Sequence, residues 1–364
     1  MTNINGPINI LFLTGKVEGI NKQIHLFCDA HIHRKDQTKC PDNGINIDKY
    51  FDKKFREVSI SPSSPVYDFF MEIKPSSVKI THDKENKNYI NTVLDLFIQH
   101  FKTDNFKVKI PNKYPKIRLH YVDVRDYLFR NIYNNMENMK NNIQSEKDLD
   151  KLEKLLVINN NMIQRTYNIF YKTKKKTIKK DSPIISNYYD YKNDHDRKVE
   201  YLILKIKNKY HHTNNKNIIN KIINIELKNY FTLYSKNFNS LINDVKNNFK
   251  NNLSHKIKHF NKYYYSIMHL FSFITDLYFL RRFVDKDYIT HGIAYTGLSH
   301  SVNYLYLLVK YFNFDLKYFH YFNKKNEGKY SPEIIKNIKY PHLLREYFME
   351  IPIFQCSSIA HLHT

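Results

Sequence analysis

At 364 residues, with 42% hydrophobic residues, 30 Tyr and 25 Phe, the chain has enough apolar and aromatic surface to exclude wholesale disorder. Its formal charge of +23, from 58 basic and 35 acidic residues, directs attention to polyanions, although the lysines are scattered and no zinc-finger or RNA-recognition signature is present. Cys28, Cys40 and Cys356 are too few for a disulfide framework and point to a reducing compartment.

Ile8–Leu13 is a short apolar run that reads as a buried strand, with neither the basic start nor the cleavage site of a signal peptide. A turn around Gly15–Gly19 and a second run, Ile24–Cys28, suggest a hairpin. The polar segment Asp29–His33 follows at once. Asp36–Gly44 and Ser61–Pro65 read as loops, and Val66–Ile73 as a strand ending near Glu72. Val93, Leu94, Phe97, Ile98 and Phe101 share one helical face, and Ile117–Val124 is a further strand running into the stretch LHYVDVRD.

From residue 135 to 262 the chain turns rich in Asn and Lys, with no Gly and a single proline, Pro183. Leu152, Leu155, Leu156 and Ile163 have helical spacing, as do Ile218, Ile222, Ile225 and Phe231, so this part reads as a helical insertion. Tyr171–Lys180 and Asp181–Asp196 read as an exposed loop. The apolar stretch Tyr263–Phe283 contains His269 and Asp276 and ends in Arg281–Arg282, which suits a buried helix and not a membrane span. Gly292–Thr296, then a helix carrying Val302, Leu305, Val309 and Phe312, then Phe314–Phe319, give a strand–helix–strand unit suited to a parallel sheet. The expectation is an α/β fold with a mainly parallel central sheet flanked by helices. Its halves, 1–134 and 263–364, are separated by a long α-helical insertion, 135–262.

Ligands of α/β sheets gather beyond the carboxyl ends of strands. Asp29, His31 and His33 stand at one such end, and in an extended segment the two imidazoles would face the same side. Imidazole with carboxylate suits zinc, manganese or iron, and without a metal serves as general acid and base. Incidental histidines on a surface turn are the plain alternative in a chain with 18 of them. Glu72 at the next strand end brings a second carboxylate. Arg125 follows another and offers a clamp for an anionic group or a hold on a carboxylate, with a structural salt bridge as the alternative. His300 begins a helix, where the positive end of the helix dipole favours the neutral ring. Asp276, Arg281 and Arg282, on an apolar helix, read as a structural ion pair.

CDAH at Cys28–His31 resembles the G-[ET]-x-H motif that opens the TraB/TIKI and erythromycin-esterase/ChaN-like superfamily, with Cys28 in the glycine position and Asp29 in the Glu/Thr position. YDFFMEI, with Glu72, resembles its next strand. TGLSHSVNYLYLLVKYFNFDL from Thr296 resembles its late G-x-x-H motif, with Gly297 and His300 matching and Asn313 in place of a glycine. DVRD and DLYFLRRF resemble uncharacterised members from large DNA viruses. The resemblance covers Ile8–Asp126 and Asp276–Phe319. It implies an α/β fold with both His motifs at one pocket, and relatives that are metal-dependent peptidases, hydrolases activating water with His and Glu, or haem binders.

The expectation is therefore a hydrolase, peptidase- or esterase-like, with His31, Asp29, Glu72, Arg125 and His300 as its catalytic set. A divalent metal (zinc, manganese or iron, ahead of haem) would sit on His31, His33, Glu72 and His300. The alternative is a non-enzymatic basic virion or nucleic-acid-associated protein on a degenerate enzyme fold. An intracellular location, host cytoplasm or virion, fits either.

Overall fold

The computed structural model describes residues 3–33, 40, 44–72, 88–101, 103–104, 107–108, 110–145, 149–172, 195–247, 253–322, 330–350 and 353–359. The chain divides into two compact units, one formed by Met1–Asp123 with Arg282–Thr364, the other by Val124–Arg281. The first segment holds β1 (Asn3–Asn5), β2 (Asn9–Val17), β3 (Ile20–Asp29), β4 (Ile45–Asn46), α1 (Ile47–Ile60), β5 (Tyr67–Met71), α2 (Tyr89–His100), β6 (Thr103–Asp104), β7 (Lys107–Val108) and β8 (Ile117–Tyr121). The second unit holds α3 (Arg125–Ser145), α4 (Leu149–Tyr171), α5 (His195–Asn208), α6 (Thr213–Ile222), α7 (Lys228–Lys246) and most of α8 (Leu253–Asp285). The returning segment adds β9 (His291–Gly297), α9 (Leu298–Phe312), β10 (Asp315–Phe319), α10 (Pro332–Asn337), α11 (Arg345–Phe348) and β11 (Cys356–Ser358).

Among the described residues the main sheet has six strands in the order β10-β2-β3-β9-β5-β8. β3, β9, β5 and β8 pair parallel, while β2 pairs antiparallel with both β3 and β10. The sheet is thus mixed, which corrects the expectation of a mainly parallel one. The cause is the hairpin. Val17 pairs with Ile20 across a two-residue turn, Glu18–Gly19, with φ of 50° and 82°. Positive φ at both positions is the tight turn that matches strand twist, and Gly19 adopts it without a Cβ penalty. Gly15, expected in the turn, lies inside β2. β9–α9–β10 forms as expected, but β10 lands on β2 and not beside β9.

Strand alternation gives the sheet two faces. Phe27, Phe69, Met71, Leu119, Ile293 and Tyr295 belong to one buried core that includes Phe51 and Phe55 of α1 and Val93 and Phe97 of α2. Helix α1 was not anticipated. Its buried residues Ile47, Tyr50, Phe51, Phe55 and Val58 recur at helical spacing, diluted by the charged residues between them. On α9, every residue from His300 to Val309 is buried, so its sequence reads apolar nearly all round.

Among its described residues the second unit contains helices joined by short turns and no strand. α3 is interrupted by non-helical backbone at Phe129, and a π-helical turn, Ile223–Leu227, joins α6 to α7. Most of the expected loop at 171–196 lies outside the described residues. Among them, no helix is long and apolar enough to cross a membrane. Arg281, buried on α8, donates from Nη1 to the Lys209 carbonyl at 2.9 Å.

The cysteines depart from expectation, because Cys40 and Cys356 form a disulfide with Cα atoms 5.0 Å apart. Their separation of 316 residues hides the pairing from a reading of the sequence. It arises because β1 pairs antiparallel with β11, Asn5 opposite Cys356, while Asn5 Oδ1 accepts from the Cys40 N–H at 2.7 Å.

Candidate active site

β3, β9 and β5 lie side by side and parallel, so their carboxyl ends share one edge of the sheet. Asp29 ends β3 in register with Gly297, which ends β9, and Glu72 follows the last residue of β5. Three segments distant in sequence therefore meet where α/β folds place their ligands.

Asp29 shapes the segment after it. Its Oδ1 accepts from the His31 backbone N–H at 2.5 Å, an Asx turn across two residues. Within that turn His31 has φ of 56°, a left-handed conformation that costs a non-glycine residue about 1–3 kcal/mol. The turn breaks the extended backbone, so alternation does not place His31 and His33 on one face. His33 is exposed, and its backbone bridges to Asn88.

The His31 ring lies between two carboxylates. Nδ1 is 3.7 Å from Asp29 Oδ1, and Nε2 is 3.6 Å from Glu72 Oε2. Both carboxylates are buried, while 42% of the His31 side chain is exposed. Glu72 is held from two further directions. Oε2 accepts from the Gly297 N–H at 2.6 Å, and Oε1 is 3.1 Å from His300 Nε2 in the first turn of α9. Gly297 matters for what it lacks, since a Cβ there would collide with His31 Nε2. Asp29 Oδ2 accepts from the buried Tyr295 hydroxyl at 2.5 Å.

These contacts set the protonation states. Burial alone would lower the His31 pKa, but Glu72, by hydrogen bond and charge, and Asp29 outweigh it and the net shift is upward. Burial raises the Asp29 pKa against the pull of His31 and Tyr295. Tyr295 stays well above its ordinary value through burial and the Asp29 charge, so it remains a donor. Burial pushes the Cys28 thiol up to about 12, so it is not a nucleophile at neutral pH.

The cluster is a series, His31–Glu72–His300, with one Glu72 oxygen on each imidazole. Among the described residues, the group of His, Cys, Asp or Glu side chains offering ligand atoms all within 4.8 Å of one another is a different one, Asp244, His255 and His259. His31, Glu72 and His300 are not a group whose ligand atoms all lie within that distance of one another. Arg125 is the first residue of α3, half-buried, in the other unit.

Further along the same sheet, Asp68 of β5 accepts from Arg118 Nε at 2.9 Å and lies 2.6 Å from His120 Nε2. Arg282 Nε donates to His120 Nδ1 at 3.1 Å, so the His120 proton sits on Nε2, toward Asp68. Burial and the charge of Arg282 lower the His120 pKa against the pull of Asp68. Arg282 thus belongs to a structural polar network. Sequence reading missed Tyr295 and Asp68. Each is an ordinary strand residue until the register of β9 or β8 is known.

A profile of a family of unknown function, DUF5847, matches residues 2–267 and 245–364. Among similar chains are three uncharacterised proteins of Acanthamoeba polyphaga mimivirus. The first is 31% identical over 92% of this chain and 90% of its own, the second 29% over 86% and 87%, and the third 30% over 87% and 87%. No solved structure matches. The likeness to proteins of a large DNA virus agrees with the sequence, whereas neither the family nor these relatives point to the TraB/TIKI or ChaN-like proteins. The chain belongs to the DUF5847 family.

Proposed function

We propose that the chain is a hydrolase, peptidase- or esterase-like, working through His31 and Glu72 at the carboxyl edge of the sheet. One observation carries this reading: a partly exposed imidazole held between two buried carboxylates, one of them anchored by a backbone N–H and a second histidine. Such a ring is oriented before substrate arrives, and with its pKa raised by Glu72 and Asp29 it is suited to accept and hand on a proton. In the proposed step, a water beside His31 and Glu72 loses its proton to this pair as its oxygen bonds to an acyl carbon. The proton then passes from the imidazole to the leaving alcohol or amine as the old bond breaks. Asp29, fixed by Tyr295, holds the other side of the ring, and His300 keeps Glu72 in place. The resemblance of the two His motifs to the TraB/TIKI and ChaN-like pattern supports the same chemistry.

The test is turnover of a panel of activated esters and peptide amides. We expect turnover by the natural chain and a fall of roughly 10²- to 10⁴-fold in His31→Ala, with His33→Ala unaffected. No turnover in the natural chain, or equal turnover in His31→Ala, would sink the reading.

The charge of +23 supports a second reading, a non-enzymatic basic virion or nucleic-acid-associated protein.

A further inference from the structure

The helical unit carries a side-chain cluster that the hydrolase reading leaves unused. Asp244 lies in the last turn of α7, and His255 and His259 stand one turn apart near the start of α8. Four-residue spacing puts both imidazoles on one face, and their ring centroids are 4.1 Å apart. One ligand atom from each of the three residues lies within 4.8 Å of the others. Asp244 Oδ2 is buried, makes no hydrogen bond, and lies 2.5 Å from His259 Nδ1. Ser240 Oγ, one turn earlier on α7, is 3.1 Å from the same nitrogen.

When His259 Nδ1 carries no proton, its lone pair and the Asp244 carboxylate stand against each other at 2.5 Å, and a cation between them relieves the repulsion. A proton relieves it as well, but accounts only for the Asp244–His259 pair. Two imidazoles this close repel if both are charged, whereas a metal ion takes both in neutral form. We propose that Asp244, His255 and His259 form a divalent transition-metal site. Two imidazoles and a carboxylate suit zinc, with water completing a tetrahedron and the ion joining α7 to α8. Tetrahedral zinc spaces its ligand atoms about 3.3 Å apart, so binding opens the Asp244–His259 contact by roughly 0.8 Å, which side-chain rotation supplies.

The experiment is calorimetric titration of the full chain with zinc chloride, with cobalt(II) absorption as a report on tetrahedral geometry. The expected result is one equivalent of zinc, lost in His255→Ala and in Asp244→Asn and retained in His31→Ala/His300→Ala. His255→Ala preserves the Asp244–His259 pair, so loss of zinc there separates a metal site from an ion pair. Circular dichroism establishes that the variants fold, and Asp244→Asn keeps the side-chain volume. The proposal is overturned if the natural chain and His255→Ala/His259→Ala titrate alike, or if the equivalent disappears with His31 and His300 instead.

Discussion

His31 combines features seldom found together: left-handed backbone, partial exposure, and a ring between two buried carboxylates. Its conformation is maintained by contacts from elsewhere, the Asp29 Asx turn on one side and the Gly297–Glu72 platform on the other. Because its folded pKa lies above the ordinary value of 6.5, the imidazolium form stabilises the fold. That contribution is complete below about pH 6.5 and is lost as pH rises through the folded value. Glu72→Gln removes the stronger of the two attractions, so the His31 pKa is expected to fall. Histidine NMR titration of the natural chain and this variant measures it, and an unchanged value in Glu72→Gln would show that Glu72 does not govern the ring. Asp29 and His31 were visible in the sequence as a polar run after an apolar one. Tyr295, which holds Asp29, was not, because nothing in GIAYTG announces which neighbour its hydroxyl meets.

At the scale of elements, the long or strongly patterned segments were legible. β2, β3, β5, β8, β9, α2, α9 and β10 all fall where apolar runs and periodicity predict them. α1 escaped because its charged residues mask the stripe. That β2 turns back antiparallel on β3 follows from the hairpin legible in the sequence, whereas its pairing with β10 escaped, since an apolar run looks the same in parallel and antiparallel company. The disulfide belongs to this scale, because it exists only where the short strands β1 and β11 pair. By closing a very long loop it restricts the unfolded chain, so reducing it is expected to cost about 2–5 kcal/mol. Thermal unfolding with and without dithiothreitol, and of Cys356→Ser, measures this. A midpoint unmoved in both would show that the bond contributes nothing to stability.

For the whole molecule, the charge of +23 carries a prediction independent of the active site. If the basic surface meets nucleic acid, affinity falls steeply with salt, log K declining linearly with log salt concentration as counterions are released. Binding of duplex DNA and single-stranded RNA across a salt series reads this directly, and no binding at low salt removes the second functional reading. The sequence by itself determined the α/β class, the positions of most strands and helices, and which polar residues stand at strand ends. Those properties are local: periodicity, turn chemistry and composition act over a few residues. Only the tertiary structure decided that β10 lands on β2, that Cys40 meets Cys356, and that Glu72 lies between His31 and His300. Each of these depends on strand order and register between segments far apart in the chain. A one-residue slip would reverse the facing of every side chain in a strand, and only the packed core fixes which register wins.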